Sequence, residues 1–440
     1  ASDVYKRQAR GTSGAEGRPV RAYGGPAGRL RLPAHGRGPA GASYGGLSAR
    51  RIAPGMGNRN LTSAKRAKND EFYTRMPDIE NELRHYAEHF KGKTVLCNCD
   101  DPYESNFFKY FALNFNKLKL KKLIATCYSG SPITGTQLSL FGDETEDGRR
   151  TPYKAVVTTV HDTTGEGGID MLDVAELFRT GENTIERLHS DGDFRSPECL
   201  ELLDESDIVV TNPPFSLFRE YLTTLIDHNK QILIIGSENA ITYKEVFRLL
   251  QEDKVWLGYN NGDMAFQVPD DYEPRATRYW QDETGQKWRS MGNICWYTNL
   301  DIKKRHEEMI LVKRCKPESY PKYENYDAIE VSKLADIPCD YRGIMGVPIT
   351  FMDRYSPDQF VILGRRGDLE WAENECTFYT PPSAELQAKY KAMNRTWRVQ
   401  NTYYLDENGV PKVTYGRIFI RYTDKWIADH PSDFEGSNAE

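Results

Sequence analysis

The chain has 440 residues, 39% hydrophobic and 12% aromatic, with a formal net charge of −6, which suffices for two or three domains with a buried core. No run of about 18 apolar residues is present, and no charged, apolar and small-residue leader precedes the body, which argues against a membrane span and a secretory signal, and a soluble cytoplasmic protein is expected. Residues 1–70 hold 14 of the 58 Lys and Arg residues but 3 of the 64 Asp and Glu residues, so the remainder is acidic and any polyanion-binding surface on it must be local.

In chain order, residues 1–55 come first, with 12 Gly and 9 Arg and no apolar periodicity. Such a segment buries too little to offset its ordering entropy, so it is expected to be disordered. Its arginines suit a nucleic-acid-binding arm, but the favoured reading is upstream sequence translated ahead of Met56. The texture changes there, and patterned sequence begins only at Lys65.

From Pro77 a helix is predicted, with acids in its first turn and Ile79, Leu83, Tyr86 or Ala87, and Phe90 at helical spacing; Gly92 ends it. Strands are predicted at Val95–Cys99, Leu123–Tyr128, Ile208–Thr211 and Ile232–Gly236, with helical patterns between them, the first running through Phe107, Phe108, Phe111 and Phe115. Continuous apolar strands alternating with helices indicate a parallel sheet covered on both faces, whose ligands bind at the carboxyl ends of the strands. Cys97 and Cys99 read as two small residues on one face of the first strand. The eight cysteines lack the paired spacings that zinc requires, and reduced thiols are expected. Between the second strand and Asp193 lies a long insertion with a polar loop (129–150), a β-rich run at Tyr153–Val160 and a helix at 170–179. From about residue 300 the pattern turns to Pro, Gly, aromatic and β-branched residues, which reads as a β or α+β region.

Asn212-Pro213-Pro214-Phe215 follows directly on the strand ending at Thr211. An exocyclic ring amine is a poor nucleophile because its lone pair is delocalised into the ring. An Asn side-chain oxygen and a neighbouring backbone carbonyl, both accepting from that amine, favour a tetrahedral nitrogen and aim its lone pair. Two prolines stiffen the carbonyl's backbone, and the aromatic ring offers a face for an extruded base. The bland alternative is a turn, since Asn-Pro commonly starts one. The aromatic fourth residue and the apolar strand before it favour a catalytic centre.

Three further segments suit a nucleotide-like cofactor. Asp193-Phe194 pairs a carboxylate for an adenine amino group with a ring for its face, although Asp-Gly before it is a routine turn signal. Asp100 and Asp101 follow the first strand, where carboxylates can hold an ammonium group or ribose hydroxyls ahead of a helix N-terminus; simple capping by Asp101 and Ser105 is the alternative. Phe72-Tyr73-Thr74 offers an aromatic pair and a hydroxyl to close over the cofactor's far end.

The ordered set Asn69-Asp70-Glu71-Phe72-Tyr73-Thr74, Cys97-Asn98-Cys99-Asp100-Asp101-Pro102, Asp193-Phe194 and Asn212-Pro213-Pro214-Phe215 resembles the EcoRI-type adenine-specific DNA methyltransferases, from about Lys65 to Tyr422. Gly346-Val347-Pro348-Ile349-Thr350-Phe351 and Tyr415-Gly416-Arg417-Ile418 look like further family segments. The resemblance implies an α/β fold with a Rossmann-like methyltransferase sheet, helices on both faces, and an α+β or β-rich target-recognition region on the C-terminal side. It implies methyl transfer from S-adenosyl-L-methionine to the N6 of a flipped adenine in double-stranded DNA, without a metal. Asn212, Pro213, Pro214 and Phe215 would be catalytic, and Phe72, Tyr73, Thr74, Asp100, Asp101, Asp193 and Phe194 would hold the cofactor. The expected boundaries are 1–55 disordered, 56–300 methyltransferase domain with an insertion at 129–168, and 301–440 target recognition. The chain departs from the broader methyltransferase pattern after the first strand, where Tyr103-Glu104-Ser105 stands in place of Gly-x-Gly. No acid ends the second strand, so the residue that holds the ribose is left open.

Gln137-Leu138-Ser139-Leu140-Phe141 resembles the pentapeptide by which bacterial proteins dock on the replicative sliding clamp, with Gln137, Leu138, Leu140 and Phe141 as anchors; a short strand over the sheet edge is the alternative. Candidate DNA contacts are Trp256, Tyr259, Arg275, Arg278, Tyr279, Trp280, Lys287, Trp288 and Arg289, together with Arg365, Arg366 and Arg417. A bacterial or phage protein of the nucleoid, with or without a cognate restriction endonuclease, fits these features. The rival readings are methylation of ribosomal RNA or of a protein glutamine by the same tetrapeptide, and a non-catalytic DNA- or clamp-binding protein on this scaffold.

Overall fold

The computed structural model describes residues 73–99, 105–127, 152–165, 167–179, 181–268, 272–365, 383–392 and 402–435. Residues 1–55, Phe72, Asp100, Asp101, the 137–141 pentapeptide and Arg366 lie outside the described residues. No described helix is long and apolar enough to cross a membrane.

Eleven described strands form one sheet: β1 (Tyr73–Thr74), β2 (Thr94–Asn98), β3 (Lys122–Thr126), β4 (Tyr153–Val157), β5 (Thr184–Arg187), β6 (Ile208–Thr211), β7 (Gln231–Ser237), β8 (Trp256–Leu257), β9 (Gly262–Gln267), β10 (Tyr279–Gln281) and β11 (Lys287–Thr298). Their spatial order is β1-β9-β11-β7-β6-β2-β3-β4-β5, with β8 and β10 also paired to β11. The four central strands β3, β2, β6 and β7 are parallel, as their uninterrupted apolar runs predict. Both flanks are antiparallel, so the sheet is mixed rather than parallel throughout. On one flank β4, paired with β3 and β5, alternates as a strand with one more exposed face does, with Ala155 and Val157 buried and Lys154 and Val156 half-buried.

The period of two divides the central strands between two apolar cores. Val95, Cys97, Ile208, Val210, Leu233 and Ile235 face one side, where helices α1 (Met76–Leu83), α2 (Asn106–Leu113) and α3 (Phe115–Leu118) pack. Leu96, Ile124, Val209, Ile232 and Ile234 face the other. After the short α4 (Met171–Glu176), that second side is covered by α5 (Pro197–Glu205), α6 (Phe218–Asp227) and α7 (Lys244–Gln251). Full burial of such side chains stabilises the fold by about 1.5–3 kcal/mol each.

Local outcomes differ from the sequence reading in several places, and β3 ends at Thr126 and β4 at Val157, short of the predicted Tyr128 and Val160. Ile79, Leu83, Tyr86 and Phe90 are fully buried as their spacing predicts, but the α-helix closes at Leu83 and a 3₁₀ turn at Ala87–Phe90 completes the run. The helix expected over 170–179 is α4, shortened to Met171–Glu176 and opened by a capping box between Asp170 and Asp173. Cys99 is not the last residue of the first strand: β2 ends at Asn98, and Cys99 turns out of it with φ +90°.

Beyond residue 300, β12 (Ile329–Glu330), β13 (Met345–Pro348), β14 (Phe360–Arg365) and β17 (Arg417–Tyr422) make a four-stranded sheet in the order β12-β13-β17-β14. A hairpin of β15 (Tyr403–Leu405) and β16 (Pro411–Val413) stands apart from that ladder. Val347, Ile362, Ile420 and Tyr422 share one apolar cluster with Phe247 and Leu250 of α7. The Gln251 amide nitrogen also donates to the Leu363 carbonyl at 2.8 Å.

Candidate active site

The strand order reverses between β2 and β6, because β2 is followed in space by β3 on one side and by β6 on the other. At such a switch the connections leave in opposite directions, and a crevice opens at the carboxyl ends. Here the paired register between β2 and β6 runs through Val95–Ile208 and Leu96–Val209. Two residues further on, the Thr211 hydroxyl bridges the gap by donating to the Asn98 carbonyl.

Asn212-Pro213-Pro214-Phe215 leaves β6 at this edge and leads into α6. Asn212 is 7% exposed, and Phe215 is half-buried. The Pro214 carbonyl accepts from the Leu217 amide at 2.9 Å and closes the turn. No described backbone amide donates to the Pro213 carbonyl, which suits it to a ligand's hydrogen. A buried amide oxygen beside a stiffened carbonyl is a pair of acceptors for a planar amine.

β9 and β11 rise beyond the sheet. β11 pairs with β7 only from Ile294 onward, whereas Trp288 to Met291 pair with Gln267 to Met264 of β9, past the end of β7. Phe266, on this rising part, meets Phe215 edge to face with centroids 6.4 Å apart. β1 pairs with the same stretch, Tyr73 opposite Gln267 and Thr74 opposite Phe266. Tyr73 and Thr74, distant in sequence from the tetrapeptide, are thus carried to it on β9. The Asn106 side chain, at the start of α2, fixes this strand by donating to the Thr74 carbonyl at 2.8 Å. Ser105 caps α2 by accepting from the Phe107 and Phe108 amides at 3.1 and 3.4 Å, which is the Ser105 half of the capping alternative, Asp101 lying outside the described residues.

A cavity of about 230 Å³ opens here, lined among others by Tyr73, Thr74, Met76, Asn106, Gln267 and Trp288. The Thr74 hydroxyl is buried in this wall with no hydrogen-bond partner among the described residues. A buried unsatisfied hydroxyl is costly unless a ligand or ordered water completes it.

Phe194 is linked through Tyr221 of α6 to Asn98 at the end of β2. Phe194 is 9% exposed and packs edge-on against Tyr221, centroids 5.0 Å apart; the Arg195 guanidinium lies 5.2 Å from the centre of its ring. Asp193 accepts from the Arg195 amide at 2.9 Å and its Nε at 2.8 Å. Burial opposes ionisation of Asp193, but the hydrogen bonds and charge of Arg195 outweigh it and hold the carboxyl below its usual range.

The aromatic and basic candidates divide between surface and core. Trp280 and Trp288 are cross-strand partners on β10 and β11 with rings 6.4 Å apart and nearly parallel, and Trp280 is exposed. Arg275 lies over Tyr272, which stacks on Tyr279. Arg278 pairs with Asp263, and Arg289 donates to the Thr277 carbonyl. Trp256 is different: it pairs with the far end of β11, donates to the Leu300 carbonyl and carries Arg305 over its ring at 4.0 Å. Tyr259 stacks on His85 at 3.7 Å. Arg365 donates to the Thr242 carbonyl and lies over Phe247. Arg417 is no surface cation, since its guanidinium is buried against the Glu330 carboxylate. A strand-end arginine reads as exposed in sequence; its acidic partner sits on β12, 87 positions away.

Phe266, Asn106 and Tyr221, which touch the candidate segments at Phe215, Thr74 and Phe194, were not singled out from the sequence. Phe266 and Tyr221 carry only core-like signals, and Asn106 passes for a helix-start residue.

A family model described as adenine-specific methyltransferase EcoRI matches residues 60–423. The chain is 47% identical over 310 residues to the type II methyltransferase M.EcoRI of Escherichia coli, covering 70% of this chain and 89% of that protein. It is 37% identical to M.MgeORF184P of Mycoplasma genitalium, over 69% of this chain and 85% of the relative. It is also 37% identical to M.MpnI of Mycoplasma pneumoniae, over 68% of this chain and 83% of the relative. No solved structure matches.

Proposed function

The chain belongs to the adenine-specific EcoRI methyltransferase family, and on that premise we propose how its site transfers a methyl group to adenine N6. It is a DNA adenine methyltransferase of the restriction-modification type. The observation that carries the mechanism is the place of Asn212-Pro213-Pro214-Phe215 at the strand-order reversal, facing the rising β9 ribbon.

The donor we assign is S-adenosyl-L-methionine, which supplies an electrophilic methyl group when bound. The residues present fit it: the unsatisfied Thr74 hydroxyl seeks a polar group, and the cavity beside it has one apolar and aromatic wall. Tyr73, Thr74, Asp193 and Phe194, with Phe72, Asp100 and Asp101, would hold the donor. The Asn212 side-chain oxygen and the Pro213 carbonyl would accept the two hydrogens of the adenine amine and aim its lone pair. Phe215 would stack on the extruded base, and the ribbon would exclude water. Such positioning alone lowers a barrier by about 7–11 kcal/mol at best.

The four parallel strands support a Rossmann-like reading, with 56–300 as the methyltransferase domain and 129–168 as its insertion. Residues 301–440 would recognise the target, and the exposed Trp280 on the ribbon would meet the duplex. Docking of residues 137–141 on a sliding clamp, pairing with a cognate endonuclease, and a cytoplasmic, nucleoid-associated location belong to the same reading.

Purified chain given tritiated methyl donor and separate pools of duplex DNA, ribosomal RNA and protein tests it. N6-methyladenine in DNA is the expected product. Label confined to RNA or to glutamine refutes the assignment, and donor binding without any transfer favours a binding protein.

A further inference from the structure

The end of β2 is held by two buried hydroxyls that the mechanism above does not use. The Thr211 hydroxyl donates to the Asn98 backbone carbonyl, and the Tyr221 hydroxyl donates to the Asn98 side-chain oxygen. Thr211 immediately precedes the tetrapeptide, and Tyr221 lies in the helix that follows it. Both donors are fully buried, and Asn98 is nearly so. The Tyr221 hydroxyl also neighbours the Cys99 thiol, and its ring supports Phe194 edge-on.

Cys99 is where this arrangement matters. With φ +90° it occupies a backbone region that glycine enters freely and a side chain with a Cβ enters only under strain. No glycine follows this strand before Gly130. A strained residue persists when its surroundings over-determine it. Here the surroundings are Asn98, fixed at both its carbonyl and its amide.

We infer that Thr211 and Tyr221 are positioning residues, holding the Asn98–Cys99 exit from β2 in the shape the methyl donor requires and coupling it to the tetrapeptide. The inference rests on the reading of this crevice as the donor site. Neither side chain need touch the donor. Tyr221 joins the two candidate donor segments, the end of β2 and Asp193–Phe194, with one hydroxyl and one ring.

Calorimetric titration of S-adenosyl-L-methionine into the full chain tests this. Tyr221→Phe keeps the ring and removes the hydroxyl, and should weaken donor binding about tenfold, the scale of one buried hydrogen bond. Adding Cys99→Gly should restore the affinity to within about threefold, because glycine holds the same φ without support. Thr211→Val should weaken binding and Thr211→Ser should retain it, which gives a second route should Tyr221→Phe fold poorly by thermal unfolding. At saturating donor, kcat should change less than the dissociation constant. Wild-type affinity in folded Tyr221→Phe and Thr211→Val, or a folded double variant that Cys99→Gly does not restore, overturns the inference. A wild-type chain that binds no donor instead overturns the reading of the crevice itself.

Discussion

Phe215 meets Phe266 at an interplanar angle of 80°, and this contact joins the tetrapeptide after β6 to the ribbon that rises over it. Phe266 is fully buried and lies opposite Thr74 on β1. One ring therefore sets the distance between the acceptor pair at Asn212 and the strand carrying Tyr73 and Thr74.

Phe266→Leu conserves apolar character with a modest change of shape, so it should cost about 1 kcal/mol in stability. Its effect on catalysis should be larger than that loss implies, with kcat down about tenfold, since small misplacements degrade reactive geometry steeply. Steady-state kinetics on duplex DNA beside a urea melt separates the two. Unchanged kcat in the folded variant would show that the ribbon does not position Phe215.

Glu330 and Arg417 form an ion pair whose side chains are 2% and 9% exposed, with the Tyr323 hydroxyl also donating to Glu330. Arg417→Met should destabilise the chain by about 3–5 kcal/mol, because the carboxylate left behind has neither water nor a cation. Adding Glu330→Leu should recover much of that loss. Urea denaturation of both variants checks the prediction, and equal loss in the single and double variants contradicts it.

His306 bridges Asp358 at 2.7 Å and Asp301 at 2.9 Å. Hydrogen bonds that the ring donates to the Asp358 and Asp301 carboxylates raise its pKa above the usual histidine value. The folded state thus favours the protonated ring, and this contribution is complete below about pH 6.5 and lost as pH rises through the raised value. The side chain is 46% exposed, so the contribution should stay at or below about 1 kcal/mol. Thermal midpoints of the wild type and His306→Gln should converge as pH rises from about 6 to 9. A gap that is constant across that range contradicts this role.

The parallel core was legible because Val95 to Cys99, Leu123 to Tyr128, Ile208 to Thr211 and Ile232 to Gly236 are largely apolar runs set between helical patterns, as a sheet covered on both faces requires, although β2 and β3 end earlier than those runs, at Asn98 and Thr126. The flanks were not, since β8, β9 and β10 are short and partly polar, and their pairing with β11 is a long-range choice that no local pattern records. The place of the tetrapeptide at the end of a buried strand was legible because Ile208 to Thr211 and the Asn-Pro pair after it are local signals. Phe266 and Tyr221 were not, because a buried aromatic in a strand or helix looks the same whether it fills a core or braces a site. Cys99 was misread for a related reason: strand alternation predicts side-chain direction but not the turn that ends the strand.

We propose that Asn212 orients the adenine amine without taking part in donor binding. Asn212→Ala tests it most directly, with donor affinity measured by calorimetry and methyl transfer to duplex DNA measured on the same preparation. Wild-type donor affinity with transfer lowered by about a thousandfold or more is the predicted result, on the scale of losing an oriented hydrogen-bonding group at a reacting centre. Transfer within a few-fold of wild type in that variant would contradict the assignment of Asn212 to the reaction.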